Sequence, residues 1–241
     1  MPPMAQNKNI HAGHRQRLKE QFRDFGIDPM SDVTALELLL FYAVPQGDTN
    51  PIAHRLIDTF GSYEAVFSAS HEELIKVKGV SDHTAILLRM VPEIARRQQI
   101  RLASVDAILL TTEMCGDYLM PYFAGEDQEV VYLLGLDAKC KALGCVKIFE
   151  GSVNYATFST RRVAEAALSM NATSVILAHN HTSGIAVPSK EDIRTTRTIK
   201  KALDMLGILL SDHIVVAGND YVSMAESGML EDYSNDQPLV F

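Results

Sequence analysis

The stretch Ser174-Val175-Ile176-Leu177-Ala178-His179-Asn180-His181-Thr182-Ser183-Gly184-Ile185-Ala186-Val187-Pro188-Ser189-Lys190-Glu191-Asp192 decides how the second half of this chain folds. Its opening is an apolar run with the composition of a buried strand. Two histidines follow, at positions 179 and 181. Residues two apart on an extended chain point to the same side, so both imidazoles can face one point just beyond the strand end. Gly184 and Pro188 then mark a loop, and Ser189-Lys190-Glu191-Asp192 opens a helix in the manner of a capping box. Asp192 falls in the first turn, where the helix dipole favours a carboxylate. Two imidazole nitrogens and one carboxylate oxygen are a usual ligand set for catalytic zinc, and they leave the fourth position for water. His179, His181 and Asp192 are therefore the candidate metal ligands, with Zn2+ the expected cofactor. A lone His-x-His is more often a hydrogen-bonded pair, and Ser189 alone is an ordinary helix cap. An Asp at this distance, behind a Gly/Pro loop, moves the balance toward a metal site.

Working outward, Glu129–Leu136 and Cys145–Val153 are further short runs rich in Val, Ile and Leu. Ile208–Ala217 and Tyr221–Met224 flank Gly218-Asn219-Asp220, which reads as a hairpin connection. Thr160–Met170 and Lys190–Leu206 read as helices. Strands alternating with helices predict an α/β layer domain over residues 101–241. Residues 1–100 predict a small all-helical domain instead, with the boundary between Arg96 and Ser104. His14–Phe25 is charged and amphipathic, and Ser31-Asp32 can cap a helix carrying Leu36, Leu38, Leu39 and Leu40. Asn50-Pro51 predicts a helix start with Asn50 as N-cap, and Gly61 is the matching stop. Ser70-His71-Glu72-Glu73 is a capping box, and Lys78-Gly79-Val80-Ser81-Asp82 turns the chain into a helix over His83–Ala95.

Composition bounds the function classes. Hydrophobic residues make up 47% and charged residues 22% of the 241, the balance of an ordinary globular protein. No apolar run is long enough to cross a bilayer and Met1–Asn9 is polar, so a cytoplasmic chain with no membrane partner is expected. Cys115, Cys140 and Cys145 form no even disulfide framework and lack metal-ligand spacing; they read as reduced thiols. The formal net charge of −8 is uneven. Residues 1–100 hold 11 Lys+Arg against 12 Asp+Glu, whereas residues 101–241 hold 11 against 18, a net of −7. An acidic half repels phosphate backbones, so any nucleic-acid contact is expected in the helical half.

The segment resembles the JAMM motif of MPN-domain metallohydrolases, an upstream Glu followed by His-x-His, a spacer and Ser-x-x-Asp. His179-x-His181, seven intervening residues and Ser189-x-x-Asp192 match that spacing. His179-Asn180-His181-x-Ser183-Gly184, Pro188-Ser189-x-x-Asp192-Ile193, Leu206-Gly207-Ile208 and Asp212-His213-Ile214 are similar to the bacterial RadC branch. That branch usually has proline where this chain has Thr182. The resemblance implies an MPN (JAMM) domain with a mixed sheet flanked by helices. It also implies Glu129, at the start of an early strand, as general base, and Ser189 as hydrogen-bond donor to a developing oxyanion. Ser189 can equally be only a cap. His213 reads as a core histidine or one that holds a ligand in place from behind, since a fourth protein ligand would close the site to water. Glu73–Ala85 resembles the helix-hairpin-helix of the same family, with Lys76, Lys78 and Gly79 placed to meet a DNA phosphate. Ser81 and Asp82 depart from that pattern and suit structural packing as well. The leading expectation is a zinc hydrolase cleaving an amide or isopeptide bond in a peptide or protein, associated with DNA repair by family. The alternatives are a metal-dependent nuclease, or a non-catalytic DNA-associated adaptor with a vestigial metal site. The oligomeric state is open.

Overall fold

The computed structural model of the chain describes residues 13–104, 107–151 and 160–230. The chain divides into two compact units, Met1–Ala95 and Arg96–Phe241. In the first lie α1 (His14–Phe25), α2 (Asp32–Leu40), α3 (Asn50–Phe60), α4 (Tyr63–Ser68) and α5 (His71–Leu74). Next comes α6 (Asp82–Ser104), whose sequence runs on past residue 95. Leu36, Leu40, Leu56, Leu74 and Leu88 are fully buried in one apolar cluster of this unit. The starts follow local chemistry. Ser31 accepts from the Thr34 N–H, and Ser70 and Glu73 form the reciprocal capping box. One start differs from expectation. Thr49, not Asn50, is the N-cap of α3, and Asn50 is already helical. The Asn50 side chain is recruited elsewhere: its Nδ2 donates to Oε2 of the buried Glu37 at 2.9 Å. Pairing that carboxylate outweighs a cap, because an unsatisfied buried charge costs more than an uncapped N–H.

The second unit contains α7 (Thr112–Phe123), β1 (Val130–Leu136), β2 (Ala142–Glu150), α8 (Thr160–Ser169), β3 (Ser174–Asn180), α9 (Lys190–Asp204), β4 (Leu209–Ala217) and β5 (Asp220–Ser223). The fold is α/β, with a five-stranded mixed sheet in the order β2-β1-β3-β4-β5. Among the described strands, only the β3–β4 pair is parallel, joined through α9; the other pairs are antiparallel. One face of the sheet packs Val130, Tyr132, Leu134, Ile176 and Ala178 against Leu119 and Phe123 of α7. The opposite face packs Val131, Leu133, Val175 and Leu177 against Val163 of α8 and Ile199 and Leu203 of α9.

Helix α7 has no counterpart among the helices expected from the sequence, and Gly116 and Pro121 lie inside it. Thr111 caps it, accepting from the Met114 N–H, and Gly116 leaves room for the Tyr221 ring. Strand β2 starts at Ala142, three residues before the apolar run at Cys145, since pairing with Leu136 extends it through Gly144. The expected end at Val153 lies outside the described residues. The β4–β5 hairpin closes through Gly218 and Asn219, with Gly218 at φ 58° as a tight two-residue connection requires.

Candidate metal centre

Strand β3 is central, bonded to β1 on one side and β4 on the other, so its period-two alternation is enforced from both edges. His179 shares a face with Val175 and Leu177 and is fully buried. Just past the strand, the His181 N–H donates to the Val216 carbonyl at 2.8 Å, prolonging the β3–β4 ladder by one bond. Its ring Nδ1 lies 3.1 Å from the Ile185 carbonyl, which can only accept, so Nδ1 carries the proton and Nε2 the lone pair. The two Nε2 atoms stand 3.0 Å apart. Asp192 arrives from the first turn of α9: Oδ1 is 3.6 Å from His179 Nε2, and Oδ2 is 3.4 Å from His181 Nε2. Among the described residues, His179, His181 and Asp192 form a cluster that could hold a metal ion.

Electrostatics agree with that use. Ser189 and Asp192 make a reciprocal box, the Ser189 N–H donating to Oδ2 at 2.6 Å and the Asp192 N–H to Ser189 Oγ at 3.1 Å. The other oxygen, Oδ1, is buried without a hydrogen-bond partner. A buried carboxylate oxygen left this way is costly unless a cation meets it. Burial, with the neighbouring His181 as a smaller cause, pushes the His179 imidazole down to about 3. Burial also holds His213 well below the usual range. Both rings are thus neutral near pH 7, the form that ligates metals. The donor set fits a divalent cation of zinc type.

Glu129 precedes β1 on the face that carries Val131, and the β1–β3 register pairs Val131 with His179. Extending that register sets Glu129 opposite His181. Glu129 Oε2 is also buried without a hydrogen-bond partner. Burial raises its carboxyl above the usual range and the nearby Asp192 adds to this, while His181 and a hydrogen bond from the Thr182 backbone N–H oppose it. A cleft of about 550 Å³ opens beside His181, with Glu126, Asp127, Thr182, Gly184 and Asn219 among its walls.

Two residues that sequence reading passed over support this arrangement. Asn180, between the histidines, points to the opposite face. Its Oδ1 accepts from the Val130 N–H at 2.7 Å and its Nδ2 donates to the Gln128 carbonyl at 2.9 Å, clamping the backbone on both sides of Glu129. Thr196, one turn along α9 from Asp192, lies 2.5 Å from His213 Nδ1. The signal for both was periodicity: a polar residue on the apolar face of a strand, and i+4 on a helix. His213 Nε2 lies 2.7 Å from His179 Nδ1, so both its nitrogens are engaged and it does not close the metal site. Asp212 faces the other way, accepting from Ser223 Oγ and the Ala225 N–H.

In the helical unit, Lys76, Lys78 and Gly79 lie at the exposed turn before α6. Gly79, at φ 97°, sits against Ile52 and Arg55 of α3, and Arg55 Nε donates to the Lys78 carbonyl at 2.9 Å. Ser81 Oγ accepts from the Thr84 N–H at 3.3 Å, occupying a donor that a phosphate would use. No helix among the described residues is long and apolar enough to cross a membrane.

Comparison with known proteins bears on the same segment. The family described as the RadC-like JAB domain matches residues 109–229, which include every residue of the metal cluster. The UPF0758 protein FN0909 of Fusobacterium nucleatum is 32% identical over 228 residues, covering 90% of this chain and 97% of that protein. The UPF0758 protein SPO0054 of Ruegeria pomeroyi is 33% identical over 217 residues, with the same coverage. Half the chain by domain match, and nearly all of it by relatives, place it in one lineage: it belongs to the RadC family.

Proposed function

We propose that the chain is a zinc-dependent hydrolase of amide bonds, acting on a peptide or protein. The observation that carries this reading is the convergence of two imidazole Nε2 atoms and an unpartnered carboxylate oxygen beside a second carboxylate, Glu129, whose Oε2 is also buried without a hydrogen-bond partner. His179, His181 and Asp192 would hold the ion. When bound, zinc supplies Lewis acidity, polarising a carbonyl and lowering the pKa of water from 15.7 to about 7. Glu129, its carboxyl raised by burial, takes a proton from the attacking water and returns it to the leaving amine. Ser189 Oγ accepts from the Asp192 N–H, which leaves its own proton for the developing oxyanion. Glu126 and Asp127 on the cleft wall, within a half of net charge −7, disfavour a phosphate backbone and suit a peptide. A DNA role for Lys76, Lys78 and Gly79, and the association with repair, rest on family resemblance.

The test combines metal content with hydrolysis. Purified protein is expected to hold about one zinc per chain. Glu129→Gln is expected to keep the metal and lose about 10²–10⁴-fold in cleavage of a peptide panel. Full activity of that variant removes Glu129 from its role. Cleavage of DNA but of no peptide replaces this reading with the nuclease.

A further inference from the structure

The buried polar atoms behind His179 line up in a single file. Thr196 Oγ1 lies 2.6 Å from the Asp192 backbone carbonyl and 2.5 Å from His213 Nδ1, and His213 Nε2 lies 2.7 Å from His179 Nδ1. Each contact is short enough to need one proton, and each group has a fixed supply. The carbonyl has none to give. The Thr196 hydroxyl has one, and each neutral imidazole has one.

We infer that this file is a directional relay in which Thr196 and His213 are positioning residues that hold His179 in its Nδ1–H form, presenting the Nε2 lone pair to the metal centre. The direction follows from the carbonyl end. If the Thr196 proton turned toward His213, the hydroxyl oxygen and the Asp192 carbonyl would face each other at 2.6 Å with no proton between them, a repulsive contact. The proton therefore lies on the carbonyl side, the i to i−4 bond that threonine commonly makes in helices. The Met224 sulfur, 3.8 Å from the hydroxyl, is a longer and weaker acceptor. His213 must then donate from Nδ1, which leaves its Nε2 as acceptor. His179 must in turn donate from Nδ1, and its Nε2 faces His181 and Asp192 with a lone pair. Asp192 thus contributes twice, with its side chain as a ligand and its backbone as the fixed end of the relay. Reversing the file would put a proton on His179 Nε2 and block ligation.

This inference rests on the metal-centre reading for its purpose but not for its test. In metal-free wild-type protein at pH 7, long-range proton–nitrogen spectra are expected to show Nδ1 of both His179 and His213 as pyrrole-type and Nε2 as pyridine-type. His179 found as the Nε2–H tautomer overturns the relay whether or not the protein binds metal. Zinc affinity, measured by competition with a chelator, is expected to fall about 10–100-fold in Thr196→Val, the usual loss when an outer-shell partner is removed. Thr196→Ser, which keeps the hydroxyl, is expected to recover it. Equal zinc affinity in wild type, Thr196→Val and Thr196→Ser overturns the positioning role. If Thr196→Val does not fold, the wild-type tautomers still decide. A wild type with the expected tautomers but no zinc affinity refutes the metal reading and leaves the relay standing.

Discussion

Replacing Asp192 by Asn separates what the site needs for function from what the fold would prefer. Asp192 is fully buried, and its Oδ1 has no hydrogen-bond partner. An unsatisfied buried acceptor costs about 1–3 kcal/mol, and a charged one lies toward the upper end. Asparagine keeps a carbonyl oxygen for the Ser189 N–H, now at 2.6 Å from Oδ2, and replaces the orphaned charged oxygen by a neutral amide that can turn toward the Nε2 lone pair of His179, 3.6 Å from Oδ1. The charge assistance to the cap is lost, roughly 1 kcal/mol. The net expectation is a gain of about 1–2 kcal/mol without metal. At roughly 2–4 °C per kcal/mol, that raises Tm by about 2–8 °C. In zinc at a hundred times Kd, the wild type gains about 2.7 kcal/mol by mass action and the order reverses. Urea and thermal melts of EDTA-treated protein, repeated with zinc, read both signs. An Asp192→Asn variant no more stable than wild type in EDTA, or one that still carries stoichiometric metal, refutes the reasoning.

Three further outcomes are expected. A Cβ on Gly116 would stand 2.6 Å and 2.9 Å from Cε1 and Cε2 of Tyr221. Gly116→Ala should therefore cost about 1–3 kcal/mol of overpacking against a helix-propensity gain of about 1, and a urea melt showing stabilisation contradicts this. Because burial lowers the folded-state pKa of His179 to about 3 and depresses His213, the unfolded chain takes up protons first as pH falls. Stability of the metal-free protein is thus complete above about pH 6.5 and lost below it, by up to about 1.4 kcal/mol per pH unit for each ring; equal urea midpoints at pH 7 and pH 5 rule this out. Thr182→Pro deletes the N–H that donates to Glu129, so the Glu129 carboxyl, followed by carbon NMR, should titrate higher than in wild type.

What could be read in advance was whatever sits close in sequence. His179, His181 and Asp192 span fourteen residues, and strand alternation plus one capping box bring them together. Glu129 came from family resemblance, because nothing local distinguishes a catalytic Glu from a solvated strand end. Thr196, His213 and Asn180 were legible as residues but not as a network, since their partners lie 17, 34 and 50 positions away. Helix α7 was missed for a related reason. Its interior Gly116 makes sense only once Tyr221 is in place from the far end of the sheet. Asn50 was assigned the wrong task because the pull of a buried carboxylate on another helix is invisible to a local capping rule.

The Asn180 clamp makes the sheet end intolerant of frame errors. Along β3 the odd positions face α8 and α9 and end in His179, and the even ones face α7 and end in Asn180, so one residue inserted upstream within the strand would exchange the two faces. The amide would swing into the candidate metal site and an imidazole into the apolar layer beneath α7. The loop from Thr182 to Pro188 has no such parity to keep. Length variation in this lineage should therefore collect after His181, and the strand before it should hold its count.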